Sequence, residues 1–332
     1  MSRRAWLGLW IAAAALIVPA AHLALGRGVD WSELLAGTDT VSWRVLTELR
    51  LPRLVVALFA GTALGLAGLA LQSVLRNSLA APELTAVNPS AVLGYLIASG
   101  TGLIDGGSVF SSVLSATVGG LLGGGLLWLV AHRRTSEQTA VLGLLSALAL
   151  TGVVTILIAA RPTGVGGALR WLIGSVEARV AEHVPMIAIP VLAGFAALVL
   201  VADRLEILAV SDSHAHCLGV SPGFWRGVGI GIAVLLASAA VATVGPLAFV
   251  GFVAPHVVRL VFGGRLRRQV VLVAVCGGLF VAASDLIAKA VSLVIQLTGD
   301  GQQVGVPVGA VTCLIGAAAL VAVASSHQES EP

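Results

Sequence analysis

The sequence predicts an all-α membrane protein with about ten transmembrane helices, organised as a single domain over residues 1–332. Composition is the first reason: 58% of the 332 residues are apolar and 11% are charged, whereas a soluble domain carries about 25% charged residues. That much apolar side chain cannot be buried inside a chain of this size, so much of it must face lipid. The second reason is a series of apolar runs close to the length of about 20 residues that a helix needs to cross a bilayer.

These apolar runs follow one another along the whole chain. The first begins just after Arg3 and Arg4 and resembles a signal peptide, but the many runs behind it favour its retention as the first span. Between the seventh and eighth runs, Gly245-Pro246 marks either a tight turn between two spans or a kink within one. The predicted spans cover residues 5–25, 51–75, 85–104, 109–131, 139–160, 184–202, 226–244, 246–264, 269–296 and 306–325.

The arginines indicate the orientation. An even number of spans places both termini on one side, and cytoplasmic loops are enriched in Lys and Arg. With the termini inside the cell, the inner face receives Arg3, Arg4, Arg76, Arg133, Arg134, Arg204, Arg226, Arg265, Arg267 and Arg268. The outer face receives Arg27, Arg44, Arg50, Arg53, Arg161, Arg170 and Arg179. We therefore predict a multi-pass protein of the inner or plasma membrane with both termini cytoplasmic.

A polar segment, Asp203–Arg226, interrupts the apolar pattern and falls on the cytoplasmic side. Ser211 or Asp212 can cap a short helix over residues 214–218 by accepting a backbone N–H, and Gly219 stands where a left-handed C′ residue belongs. Ser221-Pro222 then supplies the start of the next helix. A capped helix between two spans indicates a docking feature, although an ordinary loop between spans is the alternative.

Two outer segments and several glycines also carry predictions. Val29–Arg50 and Arg161–His183 contain tryptophan among charged residues, which is typical of helices that lie flat at the membrane interface. Small residues at i, i+4 spacing allow close helix packing. The glycines in question are Gly61, Gly65 and Gly68 in the second run, Gly119 to Gly125 in the fourth, and Gly227 and Gly231 in the seventh.

Several chemistries are excluded. The phosphate-binding pattern GxxxxGK[ST] requires a lysine, and Lys289, which lies inside an apolar run, is the only lysine. If ATP is used, another subunit must bind it. No GxSxG or HExxH pattern occurs, so the sequence predicts no enzyme. His214 and His216 point to different faces of a helix, and the three cysteines form no CxxC pair. We therefore expect no metal site.

Asp285 and Lys289 are charged residues within the ninth run, which is costly in lipid. They are spaced i, i+4 with the acid first, so they can pair with each other on one helix face. No other carboxylate lies deep in a predicted span. Because a proton or ion relay needs several such groups along its path, an ion-coupled carrier is disfavoured.

Four strings, in order along the chain, resemble the permeases of FecCD-type ATP-binding-cassette (ABC) importers, which carry ferric siderophores, haem or cobalamin. They are LRLPRLVVALFAGTALGLAGLALQSVLRNSLAAPEL (Leu49–Leu84), LRWLIGS (Leu169–Ser175), GPLAFVGFVAPHVVRL (Gly245–Leu260), and VPVGAVTCLIGA (Val306–Ala317) after ASDLIAK (Ala283–Lys289). Two departures are Ser78, where the family usually has proline, and Ser211-Asp212-Ser213, where it usually has Gly-Glu-Glu.

The resemblance implies a type II ABC importer permease of ten spans that works as a dimer with an identical or a paralogous permease. It also implies separate ATP-binding subunits that use ATP and Mg²⁺, an extracytoplasmic substrate-binding protein, and no cofactor on this chain. The expected function is the permease subunit of an ATP-driven importer for a ferric siderophore. Haem or cobalamin import by the same architecture is the alternative, and a secondary carrier without an ATPase is the second.

The resemblance also implies roles for individual residues. The residues expected to couple the permease to the ATPase are Leu208, Ser211, Asp212, Ser213, His214, His216, Leu218, Gly219 and Val220. Those expected to meet acidic groups of the binding protein are Arg50, Arg53 and Lys289. From their position at the inner mouth we further predict gate residues in two loops, namely Asn77, Glu83, Thr135, Ser136 and Thr139.

Overall fold

The computed structural model describes residues 3–26, 29–35, 40–84, 86–104, 108–131, 136–160, 173–298 and 305–328. Thirteen α-helices form its framework: α1 (Arg3–Ala24), α2 (Trp31–Leu35), α3 (Thr40–Arg44), α4 (Leu51–Leu75), α5 (Val87–Gly100), α6 (Val109–Ala131), α7 (Ser136–Ala159), α8 (His183–Val210), α9 (Asp212–Cys217), α10 (Pro222–Val244), α11 (Val250–Val261), α12 (Leu266–Thr298) and α13 (Val308–Gln328). A π-helical turn, Val45–Arg50, precedes α4, and a 3-10 turn, Pro82–Leu84, precedes α5. Each predicted span coincides with a helix, which confirms the all-α fold.

The helices differ in how well they suit a bilayer. Six helical stretches in the described ranges are long and apolar enough to cross a membrane: Val41–Leu75, Val109–Leu126, Val141–Ala159, His183–Val210, Pro222–Val244 and Leu266–Leu297. Two of the other helices, α5 and α11, are shorter than the spans that the sequence predicted. For example, α11 has 12 residues, which rise about 18 Å against a hydrocarbon core of about 30 Å.

Helices α4 and α10 form the centre of the bundle. Within their apolar windows, 78% and 83% of residues are buried, against 17% in α7. Their side chains, such as Leu64, Leu69 and Leu236, are fully buried in one core that α8, α11 and α12 complete. The residues at either end of α4 are therefore attached to one of the two most buried helices described.

Glycines let α4 touch its neighbours backbone to backbone. A Cβ atom at Gly61 would overlap the carbonyl of Gly277 in α12, and one at Gly68 would overlap the carbonyl of Gly251 in α11. These two positions confirm the predicted close packing. The prediction was wrong at Gly125 and Gly231, where a Cβ would meet nothing within 4 Å.

The chain breaks between α10 and α11. Gly245 ends α10 with φ 78°, and α11 begins only at Val250, so Gly245-Pro246 is a turn between helices and not a kink. Backbone groups beside the break find partners: Ser175 N–H donates to the Val244 carbonyl at 2.7 Å, and Gly309 N–H donates to the Gly174 carbonyl at 3.2 Å. Non-helical backbone in a bundle is tolerated when it is paired within protein.

The first outer segment is helical, as the tryptophan pattern suggested. Helices α2 and α3 lie within it, and Trp31 and Trp43 are exposed. Most of the second outer segment, residues 161–172, lies outside the described residues, so its prediction stays untested.

Candidate functional site

The polar segment builds a short capped helix, α9, at one end of the bundle. Ser211 has extended backbone angles, and its hydroxyl accepts the His214 N–H at 3.0 Å. Gly219 ends the helix with φ 71°, as predicted. The helix begins at Asp212, two residues earlier than expected. Ser221 precedes Pro222 at the start of α10, but its side chain makes no capping hydrogen bond.

Seven of the nine residues expected to couple the permease to an ATPase divide into two groups, while Ser211 and Asp212 are half-buried. Leu208 and Val220 are buried and hold α9 against its neighbours. The residues on the surface are Ser213, His214, His216, Leu218 and Gly219. Leu218 is 54% exposed, and Phe224, six residues further along at the start of α10, is 60% exposed. Phe224 was missed because it lies in the polar segment but beyond Val220, the last residue that the resemblance assigns to coupling.

Asp212 has internal partners. Its carboxylate accepts hydrogen bonds from Arg226 at 3.0 and 3.3 Å and forms an ion pair with Arg76 at 3.1 Å. Arg76 is the C-cap residue of α4, and Arg226 lies in the first turns of α10. The acid of α9 is thus the point where three helices meet.

A second charged cluster surrounds the other end of α4. Asp285 in α12 is 1% exposed and accepts hydrogen bonds from Arg53 Nε at 2.8 Å and Arg53 Nη2 at 2.7 Å. His22 in α1 contacts the same carboxylate through Nε2 at 2.7 Å, while its Nδ1 lies 3.2 Å from Lys289 Nζ. A neutral imidazole with its proton on Nε2 satisfies both contacts, since Nε2 then donates to the carboxylate and Nδ1 accepts from the ammonium.

This cluster corrects the predicted pair between Asp285 and Lys289. Arg53 and His22 form hydrogen bonds with the Asp285 carboxylate. Lys289 instead contacts His22, through the ring Nδ1 and the carbonyl oxygen at 3.4 Å. The bidentate guanidinium is the stronger partner for a carboxylate. His22 was missed because it is 263 residues from Asp285, and no local pattern connects the two.

The three residues expected to meet a binding protein come together. Arg50, Arg53 and Lys289 line one cavity of about 410 Å³, with Arg179 and Glu177 on its far wall. Arg50 is buried and donates to the carbonyl oxygens of Leu23, at 2.5 Å, and Ala24 at the end of α1. The four cations outnumber the single acid of the lining, so the cavity favours an anionic group.

The predicted gate residues are partly described. Asn77 Oδ1 accepts the Leu79 N–H at 2.9 Å in the turn after α4. Ser136 and Thr139 lie in the first turn of α7, and Thr135 lies outside the described residues.

Glu83 in the 3-10 turn is the unusual member of this group. Both carboxylate oxygens are buried and, among the described residues, accept no hydrogen bond of good geometry, although other atoms of the residue reach the surface. Burial raises the pKa of Glu83 to about 7, against the opposing effect of nearby backbone N–H groups, including those of Phe249 and Gly251. The residue therefore titrates near neutral pH.

No group of three or more His, Cys, Asp or Glu side chains is arranged to hold a metal ion in the described part of the chain. The buried helix α4 instead connects two charged clusters, one around Asp285 and Arg53 and one around Asp212 and Arg76. Arg53 and Arg76 are separated by 23 positions of continuous chain that is helical over Leu51–Leu75, or about 35 Å at 1.5 Å per residue.

Comparison with known proteins gives consistent matches. A model of the FecCD transport family matches residues 9–326. The Fe(3+) dicitrate transport system permease protein FecD of Escherichia coli (strain K12) is 36% identical over 87% of this chain and 88% of its own length. The ferric enterobactin transport system permease protein FepG of the same organism is 34% identical over 83% of this chain and 81% of its own.

A solved structure supports the same fold. An inward-facing conformation of a putative metal-chelate type ABC transporter aligns with a TM-score of 0.83 and 22% identity, covering 96% of this chain and 98% of that one. The whole described bundle thus follows an architecture already seen in a transporter. With the family matched over nearly its full length, the chain belongs to the FecCD transport family and is a multi-pass membrane permease subunit of an ABC importer.

Proposed function

We propose that this permease imports a ferric chelate and is driven by ATP that a separate subunit hydrolyses. The observation that carries the proposal is the similarity to FecD, whose name specifies Fe(3+) dicitrate, at 36% identity over 88% of its length. FepG, named for ferric enterobactin, supports the same substrate class. The chain itself acts as no enzyme and holds no cofactor in this proposal.

The surface of α9 is the proposed contact for the ATPase. Leu218, which directly follows α9, and Phe224 in the first turn of α10 are exposed at the end of the bundle predicted to face the cytoplasm. Helix α9 itself is capped by Ser211 and anchored by buried Leu208 and Val220. Exposed apolar residues on a rigid element are typical anchors of protein interfaces. This orientation also keeps both chain termini cytoplasmic.

The cationic cavity is the proposed contact for the substrate-binding protein. It gathers Arg50, Arg53 and Lys289 at the opposite end of α4 from α9. A carboxylate from a partner can form charge-assisted hydrogen bonds there. Arg53 is only partly engaged by Asp285, since its side chain remains 20% exposed.

A second permease subunit is the proposed cover for α7. That helix has 17% of its apolar window buried, and several of its leucines, such as Leu145 and Leu148, are exposed. Permease dimerisation would bury part of this face, and lipid would cover the remainder. The partner is either an identical chain or a paralogue.

Reconstitution tests the substrate and the energy source. The complete importer is placed in proteoliposomes so that ATP can be supplied to the ATPase side, and uptake of radioactive iron as ferric citrate or a ferric siderophore is measured. We expect uptake that needs ATP and the binding protein and that persists with an ionophore. Uptake that continues without the ATPase but stops with an ionophore would identify a secondary carrier, and transport of cobalamin or haem alone would reject the ferric substrate.

Two sets of variants test the docking surfaces. Leu218→Ala combined with Phe224→Ala should reduce co-purification of the ATPase. Leu260→Ala, which changes a leucine that is 73% exposed on α11, is the control and should leave co-purification unchanged.

Lys289→Gln should weaken the affinity of the permease for the substrate-binding protein by about tenfold, equivalent to about 1.4 kcal/mol. Arg44→Gln, at an exposed position of α3, serves as the control. Unchanged affinity of the Lys289 variant would reject the cavity as the docking site.

A further inference from the structure

We propose that Asp212 is a positioning residue that fastens the ATPase-contacting helix α9 to the inner end of α4, so that movement of α9 reaches the predicted gate. This inference rests on the proposed function of α9. It assigns Asp212 a role inside the permease in place of the direct contact with the ATPase that the family resemblance suggested. The inference rests on one observation: the Asp212 carboxylate contacts the guanidinium groups of Arg226 in α10 and of Arg76 at the end of α4.

The carboxylate already has two partners within this chain. Arg226 donates to both of its oxygens, at 3.0 and 3.3 Å, and Arg76 lies 3.1 Å from Oδ1. A carboxylate that already has two guanidinium partners offers little to a further subunit. Within the described ranges, the ion pair with Arg76 is the one that joins α9 to α4.

Arg76 is placed so that its backbone leads directly into the gate loop. It has φ 51° and ψ 36°, a left-handed conformation that is uncommon for residues other than glycine, asparagine and aspartate. The next residue, Asn77, closes a turn by accepting the Leu79 N–H through Oδ1 and the Ala80 N–H through its carbonyl, at 2.9 and 3.0 Å. A displacement of Arg76 therefore carries this hydrogen-bonded turn with it.

In the described part of the chain, α9 otherwise packs mainly against α8 and α10. Ala215 is buried, and its carbonyl accepts the Val220 N–H at 2.9 Å, which folds the end of the helix back on itself. Arg226 belongs to α10. Asp212 thus joins α9 to α10 through Arg226 and to α4 through Arg76.

Because the ion pair between Asp212 and Arg76 is partly exposed, its role in transmitting movement can be tested without unfolding the permease. The side chains of Asp212 and Arg76 are 44% and 31% exposed, and exposed ion pairs contribute little to stability. Removing Arg76 should therefore leave the permease folded. In Asp212→Asn the amide oxygen can still accept a hydrogen bond from the buried Arg226, so this variant should fold as well. A role in transmission then shows itself as a loss of transport from an intact, ATP-hydrolysing complex.

The test uses the complete importer in proteoliposomes and compares Asp212→Asn, Arg76→Asn and the exchanged pair Asp212→Arg/Arg76→Asp. Asparagine and aspartate tolerate the left-handed backbone at position 76. Asp203→Asn, at an exposed position of α8, is the matched control for loss of a carboxylate. Three quantities are measured: co-purification of the ATPase, ATP hydrolysis, and substrate imported per ATP hydrolysed.

We expect both single variants to retain the ATPase, while substrate imported per ATP falls about tenfold, within the usual range for coupling between sites. The exchanged pair should recover much of the loss, and Asp203→Asn should match the parent. Full transport by Asp212→Asn would overturn the inference, as would loss of the ATPase from that variant, because the latter shows direct contact. Failure of the parent importer itself to retain an ATPase would instead reject the proposed function.

Discussion

Replacing Asp285 with asparagine is the sharpest test of the charged cluster formed by Asp285, Arg53, His22 and Lys289. The substitution keeps the size of the side chain but removes the negative charge that Arg53 and His22 contact. It leaves Arg53 without the carboxylate that it contacts. Because the site lies 1% exposed within α12, water cannot replace the lost carboxylate.

The magnitude follows from the three contacts. Each hydrogen bond to a charged group is worth about 1.5–3 kcal/mol, and removing one partner of a buried ion pair costs about 3–5 kcal/mol. Arg53 is 20% exposed, so it recovers part of its hydration, and asparagine can still accept one hydrogen bond. We therefore expect Asp285→Asn to lower the free energy of unfolding by about 3 kcal/mol, at the lower end of that range.

The assay is unfolding of the purified permease in mixed micelles, arranged as a double-mutant cycle with Arg53→Gln. Residues in direct contact should show a coupling free energy of about 1–3 kcal/mol. A parallel cycle of Asp285→Asn with Lys289→Met should give a smaller value, because Lys289 contacts His22 and not the carboxylate. Asp203→Asn, which is exposed, should change stability by less than about 0.5 kcal/mol.

The outcome can contradict this reasoning in two ways. Additivity of Asp285→Asn and Arg53→Gln within about 0.5 kcal/mol would show that the bidentate contact does not form. A larger coupling to Lys289 than to Arg53 would restore the pair within one helix that the sequence suggested.

Three further predictions concern the inner end and the packing of α4. Burial raises the pKa of Glu83 to about 7 from its usual 4.5, so the folded state binds this proton more tightly than the unfolded state, and stability should fall as the pH rises from about 4.5 to 7. Glu83→Gln should remove that pH dependence and raise the free energy of unfolding by about 2 kcal/mol above pH 7, after allowance for partial exposure. A variant whose unfolding keeps the pH profile of the parent would contradict this. Gly61→Val should cost more than about 3 kcal/mol or prevent folding, because its Cβ would overlap the Gly277 carbonyl, and a normally folded variant by size-exclusion chromatography would refute the close contact. Ser211→Ala should destabilise α9 by about 1 kcal/mol through loss of its cap, seen as faster hydrogen exchange at the His214 amide, while equal exchange rates would show that the cap does not form.

The parts of the fold that local chemistry determines could be predicted from the sequence. The cap at Ser211, the left-handed Gly219 and the proline start of α10 each depend on a few neighbouring residues, and all three positions were found. The helix boundaries were less accurate, because the length of an apolar run does not show where buried backbone such as residues 245–249 leaves the helix.

The charged clusters depend on contacts between distant parts of the chain. The spacing of Asp285 and Lys289 correctly placed both on α12, but their partners, Arg53 and His22, come from helices that are more than 200 residues away. Similarly, Asp212 was expected to face outward because nothing local reveals Arg76 beside it. Sequence patterns identified the residues of the site, and the packing of helices decided their partners.

Helix α4 packs directly against the peptide backbone of two neighbours, α12 at Gly61 and α11 at Gly68. Bare backbone has no rotamers through which a contact can yield, so α4, α11 and α12 must shift as one body. Arg53 and Arg76 stand at the two tips of that body, about 35 Å apart. We therefore expect a tilt that widens the bundle at the Arg76 end of α4 to alter the Arg53 end as well, so that both ends of this permease change shape together.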